Sequence, residues 1–311
     1  MSASGLVEIE GNPPPKGAKV HWLDGAEGRK LRMCVAPALD RSAPRGTVIV
    51  CPGRTEFIEK YFEVGRELQD MGFAVLMLDW PGQGLSSRLL PDSRKGHIDN
   101  FSTFMNALTK ALDEMNDELP RPYVSLAHSM GGAIALAAIA KKLVEVDAAA
   151  FSAPMWGLKS RFMGMKYLAW SMKTLGQGNK FAIKPGPRES FEDNIVTHCE
   201  ERWALHERLI DAKPELGLGP ITWRWLGASL DVIDAFAKPS VLENVSCPVL
   251  IATAGEEELV DNQSHQRISA NLQNVERIFI PNARHEILME TDEVRAQFWA
   301  AFGRLLDRAG I

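Results

Sequence analysis

One serine, set between small residues where an apolar strand gives way to a helix, constrains this chain more than any other feature. It is Ser129, in Ala127-His128-Ser129-Met130-Gly131. The preceding run, Tyr123-Val124-Ser125-Leu126, reads as a strand. The following run, Gly132-Ala133-Ile134-Ala135-Leu136-Ala137-Ala138, reads as a helix. So sharp a junction strains the serine backbone, and bulky flanking residues would clash there. The hydroxyl stands clear of the sheet, above a helix N-terminus. The Met130 N–H then points where an oxyanion would form. Such a geometry suits attack by Ser129 on a carbonyl carbon.

The surrounding pattern is an alternation of strands and helices. Residues 19–22 and 31–36 read as early strands, followed by 47–51, 73–78, 148–152, 248–253 and 277–280. Residues 62–71 read as a helix closed by Met71-Gly72. Further helices are expected from Asn100 to about 118, over 264–272, and from about 292 to 308. The alternation predicts an α/β protein with a mostly parallel sheet, right-handed crossovers and helices on both faces. Between residues 154 and 244 it stops, for far longer than the ~2–6 residues of an ordinary connection. That interval holds Trp156, Trp170, Trp203, Trp223 and Trp225, five of the eight tryptophans, and is too aromatic for a disordered linker. The expected organisation is a core of residues 1–153 and 245–311, with 154–244 as a helical cap over the sheet's carboxyl edge, where open α/β sheets bind ligands.

With 311 residues, 45% hydrophobic and 24% charged, the chain has an ordinary globular composition. A net charge of −5 gives no basic footprint for nucleic acid. Cys34, Cys51, Cys199 and Cys247 form no metal-binding spacing, so a zinc site is not expected and a reducing compartment is. Residues 1–19 lack the apolar core of a signal peptide, and no run of 18 apolar residues exists. The expected location is cytoplasmic, peripheral to the membrane at most.

A serine nucleophile needs a histidine base held by a carboxylate, in the chain order Ser, acid, His. Two histidines follow the 154–244 interval. His285 lies in a loop just after the last predicted strand, where the base must be. His265 lies inside a predicted helix, which points to a solvated role. The acid belongs in the turn after 248–253. Of Glu256, Glu257, Glu258 and Asp261, Glu257 is chosen, with Glu258 and Asp261 next. The second oxyanion donor is expected to be the Arg54 N–H, in a loop where Gly53 permits close backbone approach. His128 is read as a support for the turn and Cys51 as a buried core thiol.

These motifs resemble the α/β-hydrolases grouped with monoacylglycerol lipases and bacterial lysophospholipases, often labelled serine aminopeptidase-like. The resemblance runs from about Val20 to the C-terminus. It rests on Cys51-Pro52-Gly53-Arg54, Asp79-Trp80-Pro81-Gly82-Gln83-Gly84-Leu85-Ser86, the segment around Ser129, residues 254–262, and Ala283-Arg284-His285-Glu286. Gly219-Pro220-Ile221-Thr222-Trp223 is similar to the bacterial lysophospholipase pattern. The resemblance implies an eight-stranded sheet with a cap between the sixth and seventh strands. It also implies an acid four residues before an aspartate, which here pairs Glu257 with Asp261. Three positions depart from the usual pattern: Pro52 where His is common, Ala127 where Gly is common, and Glu257 where Asp is common.

Residues 148–188 contain no acidic residue but carry Lys159, Arg161, Lys166, Lys173, Lys180, Lys184 and Arg188. Phe162, Met165, Ala169 and Met172 recur at helical spacing, as on a helix packing its apolar side inward. A basic, apolar surface of this kind also suits transient contact with an anionic membrane. Gly53, Trp156, Phe162 and Trp223 are the expected substrate contacts. The resulting expectation is a serine hydrolase of carboxylic esters, with a lysophospholipid or monoacylglycerol as substrate and no metal or organic cofactor. The alternatives are a peptidase or amidase on the same fold and, after that, a non-catalytic binding protein on a hydrolase scaffold. A peptidase would need a carboxylate such as Glu200, Glu201 or Asp211 to pair with a substrate amine.

Overall fold

Residue alternation along each strand decides the layers. Val48 and Val50 pack on one face of the sheet, while Ile49 and Cys51 pack on the other. Val124 and Leu126 oppose Tyr123 and Ala127 in the same way. Strands buried on both faces need helices on both sides, and each such side chain contributes about 1.5–3 kcal/mol when buried. The computed structural model describes residues 5–25, 28–159, 164–188 and 190–311.

The chain opens with the antiparallel pair β1 (Lys19–Asp24) and β2 (Lys30–Ala36). Strands β3 (Thr47–Cys51), β4 (Ala74–Asp79), β5 (Tyr123–His128), β6 (Ala148–Ser152), β7 (Val249–Ala254) and β8 (Val275–Ile280) complete the sheet. The spatial order is β1-β2-β4-β3-β5-β6-β7-β8. β2 meets β4 antiparallel, and all later neighbours are parallel.

Nine α-helices among the described residues accompany the strands. α1 (Phe62–Asp70) ends at Met71, and Gly72 takes φ +91°, a value that favours glycine. α2 (Ser102–Glu114) starts just after Asn100, whose side chain accepts from the Ser102 N–H at 2.8 Å. It stops short of the expected 118 because Asn116 and Asp117 favour turns. α3 (Met130–Ala140) is apolar all round, and every residue of it is buried.

Between β6 and β7 lie α4 (Lys166–Thr174), α5 (Glu200–Ala212), α6 (Trp223–Phe236) and the short α7 (Pro239–Leu242). α4 packs on α6, where Ala169 faces Gly227 across a narrow gap. Ala169 is buried, with Met165 and Met172 packed partly beside it, as the helical spacing predicts. Phe162 lies outside the described residues. α8 (Asn262–Ser269) and α9 (Asp292–Ala309) follow β7 and β8. α1 and α9 cover one face of the sheet, and α2, α3 and α8 the other.

β3 has β4 on one side and β5 on the other, both parallel to it. Chain order therefore reverses direction at β3, which opens a crevice at the carboxyl ends of β3 and β5. Cys51 and Ser129 sit at that crevice.

Candidate active site

Ser129 takes φ +49° and ψ −117°, a strained conformation that costs about 1–3 kcal/mol. Neighbouring strands hold it there. Its N–H donates to the Ser152 carbonyl at 3.1 Å, and its own carbonyl accepts from the Met155 N–H at 2.9 Å. Two glycines make the junction possible. A Cβ on Gly131 would lie 2.1 Å from the Cys51 carbonyl oxygen, and one on Gly132 would lie 2.7 Å from Pro154 Cβ. Met130 is the first residue of α3, so its N–H has no acceptor within the helix.

His285 lies between Ser129 and Glu257. Its Nε2 is 2.8 Å from Ser129 Oγ, and its Nδ1 is 2.7 Å from Glu257 Oε2. Glu257 Oε1 also accepts from the N–H groups of Leu259 and Val260, at 2.7 and 3.1 Å. Burial opposes the carboxylate charge, but the His285 ring and these donors outweigh it and hold the Glu257 carboxyl at about 2. An ionised carboxylate only accepts, so Nδ1 carries the proton and Nε2 accepts from the serine hydroxyl. Burial lowers the His285 pKa, yet the Glu257 charge and hydrogen bond raise it more, for a net upward shift.

The neighbouring carboxylates have other partners or positions. Glu256 is exposed, with its Oε2 3.1 Å from His198 Nε2. Glu258 is exposed. Asp261 caps α8 by accepting from the Gln263 N–H at 3.0 Å.

His265 corrects the sequence expectation. It is buried rather than solvated, with Nε2 2.8 Å from the Pro154 carbonyl and Nδ1 3.0 Å from Thr253 Oγ1. Burial pushes its pKa down to about 4, so the ring is neutral at pH 7. Nε2–H therefore donates to Pro154, and Nδ1 accepts from Thr253. Trp156, expected at the substrate site, is also buried. Its indole donates to the Gly132 carbonyl at 3.1 Å, and with 1% of its surface exposed it has no face open to a substrate. Trp223 begins α6 and retains 9% exposure.

The loop after β3 presses against Ser129: a Cβ on Gly53 would lie 3.2 Å from Ser129 Cβ. This loop is held from three directions. Trp80 Nε1 donates to the Pro52 carbonyl at 2.8 Å, Gln83 Nε2 donates to the Gly53 carbonyl at 3.1 Å, and the Gly53 N–H donates to the Glu56 carboxylate. Glu56 is buried beside Lys60 Nζ at 2.9 Å and accepts from the Tyr61 hydroxyl at 2.7 Å. Although burial raises the Glu56 pKa, Lys60 leads the opposing charges that bring it down to about 2. Lys60 also donates to Glu286 at 2.7 Å, next to His285. One buried ion network thus joins the Gly53 loop to the histidine loop, a link that the sequence reading missed.

His128 supports the turn as expected. Burial lowers its pKa, so the ring is neutral. Its Nδ1–H donates to the Ser152 carbonyl at 3.0 Å, and the ring packs against His285 at 4.8 Å between centroids.

Loop residues between β6 and β7 reach both loops beside Ser129. The Arg54 guanidinium donates to the Gly219 carbonyl, and Arg284 donates to the carbonyls of Asn194 and Thr197.

Residues 42–292 match the family described as serine aminopeptidase, S33. The chain is 31% identical over 280 residues to the probable lysophospholipase L2 of Haemophilus influenzae, with 88% of this chain and 87% of that one covered. The chain belongs to this family. It is also 32% identical over 265 residues to lysophospholipase L2 of Escherichia coli K12, covering 80% of this chain and 76% of the relative. The fold is similar to that of a soluble variant of monoglyceride lipase from Saccharomyces cerevisiae. That likeness has a TM-score of 0.75 at 18% identity and covers 99% of both chains. A thermostable carboxyl esterase from Bacillus coagulans is similar as well, with a TM-score of 0.75 at 16% identity, covering 94% of this chain and 98% of that one. The protein is thus a hydrolase of the α/β-hydrolase type. Among the described residues no helix is long and apolar enough to cross a membrane.

Proposed function

We propose that the protein hydrolyses carboxylic esters of lysophospholipid or monoacylglycerol type through an acyl-enzyme on Ser129. One observation carries this reading: a single imidazole, at 2.8 and 2.7 Å, bridges the strained serine and a buried carboxylate. Ser129 Oγ attacks the ester carbonyl while His285 Nε2 takes its proton. Glu257 fixes the tautomer and stabilises the imidazolium. The N–H groups of Met130 and Arg54 hold the oxyanion. His285 returns the proton to the leaving alcohol, which departs as the carbonyl re-forms. Water, deprotonated by the same ring, then releases the fatty acid. The names of the two lysophospholipase relatives support the substrate class.

The inserted segment supports delivery of a lipid. Tyr167 is 82% exposed and Trp170 66% exposed on α4, with Leu168 and Leu175 exposed beside them. Amphipathic rings of this kind sit well at a lipid–water boundary. Lys159, Lys173, Lys180 and Lys184 surround them in sequence, with no acid between residues 148 and 188. We propose that this face docks transiently on anionic membranes. Against the peptidase alternative, Asp211 is already paired with Arg188 on the surface.

One experiment tests both parts of the reading. Lysophospholipids and monoacylglycerols are presented in neutral and in anionic vesicles, with vesicle sedimentation read alongside turnover. Aminoacyl nitroanilides serve as the competing substrates. The expected result is ester turnover well above anilide turnover, with sedimentation favoured by anionic lipid. Faster anilide cleavage would overturn the ester assignment, and equal sedimentation with both vesicles the docking.

The pH profile follows from the His285 environment. Only the neutral ring accepts the serine proton, and its folded pKa is raised above the ordinary ~6.5. kcat/KM is therefore expected to fall as pH drops through a midpoint above ~6.5, as a pH–rate profile would show. Glu257→Gln removes the charge that raises the ring, so the midpoint moves to lower pH. A midpoint unchanged by that substitution would break the assignment of Glu257.

A further inference from the structure

Arg54 is a half-buried cation that pairs with no carboxylate among the described residues. Its Nη1 donates to the Gly219 carbonyl at 2.9 Å, and its Cζ lies 5.9 Å from the Trp225 ring centroid. Gly96 closes a third side, since a Cβ there would lie 3.1 Å from Nη1. Arg32 pairs with Glu59 and Asp79, and Arg202 and Arg295 pair with Glu63, whereas Arg54, like the half-buried Arg88 and Arg284, bonds backbone carbonyls. Desolvation pushes the Arg54 pKa down to about 10. A guanidinium has five N–H donors, and a desolvated charge is costly unless a counter-charge completes it.

The platform under it is rigid. The Gly219 N–H donates to the Arg94 carbonyl at 2.8 Å, the Gly96 N–H to the Pro220 carbonyl at 3.0 Å, and the Thr222 N–H to the Gly96 carbonyl at 2.9 Å. A Cβ on Gly219 would lie 2.6 Å from the Arg94 carbonyl oxygen, so the segment that shelters Arg54 needs its glycine. The segment is the Gly219–Trp223 stretch singled out in the sequence, to which the hydrolytic residues give no role.

Covalent geometry supplies the occupant. Arg54 follows Gly53, which lies against Ser129, so the guanidinium is one arginine side chain away from the reacting carbonyl. In a 1-acyl-glycerophospho compound, as many bonds separate the scissile carbonyl carbon from phosphorus as separate an arginine's backbone nitrogen from its guanidinium carbon. Guanidinium groups also bind phosphate oxygens in pairs. We propose that the Arg54 side chain binds the phosphate of the substrate's head group, which makes it a specificity residue for phospho-headed over neutral esters. The inference rests on the ester-hydrolase reading above and extends it to the head group.

The test measures a ratio, because the proposed mechanism also assigns the Arg54 N–H to the oxyanion. kcat/KM is determined for a lysophospholipid and for a monoacylglycerol of the same acyl chain, in the wild type, Arg54→Lys and Arg54→Ala. The lysophospholipid-to-monoacylglycerol ratio is expected to fall about ten- to a hundredfold in Arg54→Ala, and by less in Arg54→Lys, with KM carrying the change. Labelling by a fluorophosphonate confirms that each variant keeps a formed site. A second arm uses sn-glycerol 3-phosphate and inorganic phosphate as inhibitors of nitrophenyl ester hydrolysis. Glycerol phosphate is expected to inhibit the wild type competitively and to lose that effect in Arg54→Ala. An unchanged ratio would overturn the proposal. So would loss of phosphate inhibition with no change in the ratio, which would mark a site for free phosphate. If the wild type hydrolyses neither lipid, the substrate reading fails, and the inhibition arm still decides whether Arg54 binds a phosphate ester.

Discussion

Replacing Ser129 with alanine is expected to lower kcat on a nitrophenyl ester by about 10⁵- to 10⁶-fold, the scale seen when a serine nucleophile is deleted. Stability should hardly change. Alanine keeps the Cβ, so the positive φ costs it no more than it costs serine. The loss is one hydrogen bond to His285, worth about 1 kcal/mol. The oxyanion donors and the loop held by Glu56, Trp80 and Gln83 stay in place and sustain a residual rate above water. Steady-state kinetics on freshly purified variant, together with fluorophosphonate labelling, provide the check. Turnover within tenfold of wild type, or undiminished labelling, would mean that another residue is the nucleophile.

Local sequence carried the elbow and the parallel sheet, because both depend on near neighbours. Gly131 and Gly132 stand next to Ser129 in the chain and meet the same crowding in space. His285 could be picked out because it follows the last strand. Glu257 was harder: three consecutive glutamates differ only in which way one turn aims them, and the N–H groups of Leu259 and Val260 capture the middle one.

Contacts across long stretches of chain were illegible. His265 read as solvated on a polar helix, but its partner is the Pro154 carbonyl, 111 residues away. Lys60 and Glu286 are 226 residues apart, and nothing in Phe57-Ile58-Glu59-Lys60-Tyr61 announces that the charges point inward. Trp156 shows the same limit. Aromatic residues near a site line it or underlie it according to a packing angle that no motif encodes.

Arg32 offers the largest expected loss of stability. Its side chain and those of Glu59 and Asp79 are fully buried. The guanidinium reaches Asp79 Oδ2 at 2.9 Å, Glu59 through both nitrogens, and the Gly5 carbonyl at 3.1 Å. It therefore joins the N-terminal segment, the residues before α1 and the end of β4. Arg32→Met keeps much of the volume but leaves two buried carboxylates facing each other. Breaking such a group costs about 3–5 kcal/mol, a large share of the ~5–15 kcal/mol that holds a domain folded. Burial already raises the Asp79 pKa, and Arg32 is the main force opposing that rise. Without Arg32 the folded state takes up a proton that the unfolded state releases at neutral pH. A raised carboxyl pKa makes stability fall as pH rises, so the deficit against wild type should narrow between about pH 7 and pH 5. Urea unfolding of both proteins at the two pH values measures it. A deficit below about 1 kcal/mol, or one that widens on acidification, would contradict this account. Adding Asp79→Asn removes one of the opposed charges and should restore part of the loss. It should not restore all of it, because Asp79 also accepts from the N–H groups of Ile58 and Leu85, at 2.9 and 2.8 Å. Those bonds anchor the strand end that carries Trp80, whose indole holds Pro52 beside Ser129. The double variant is therefore expected to recover stability more fully than turnover.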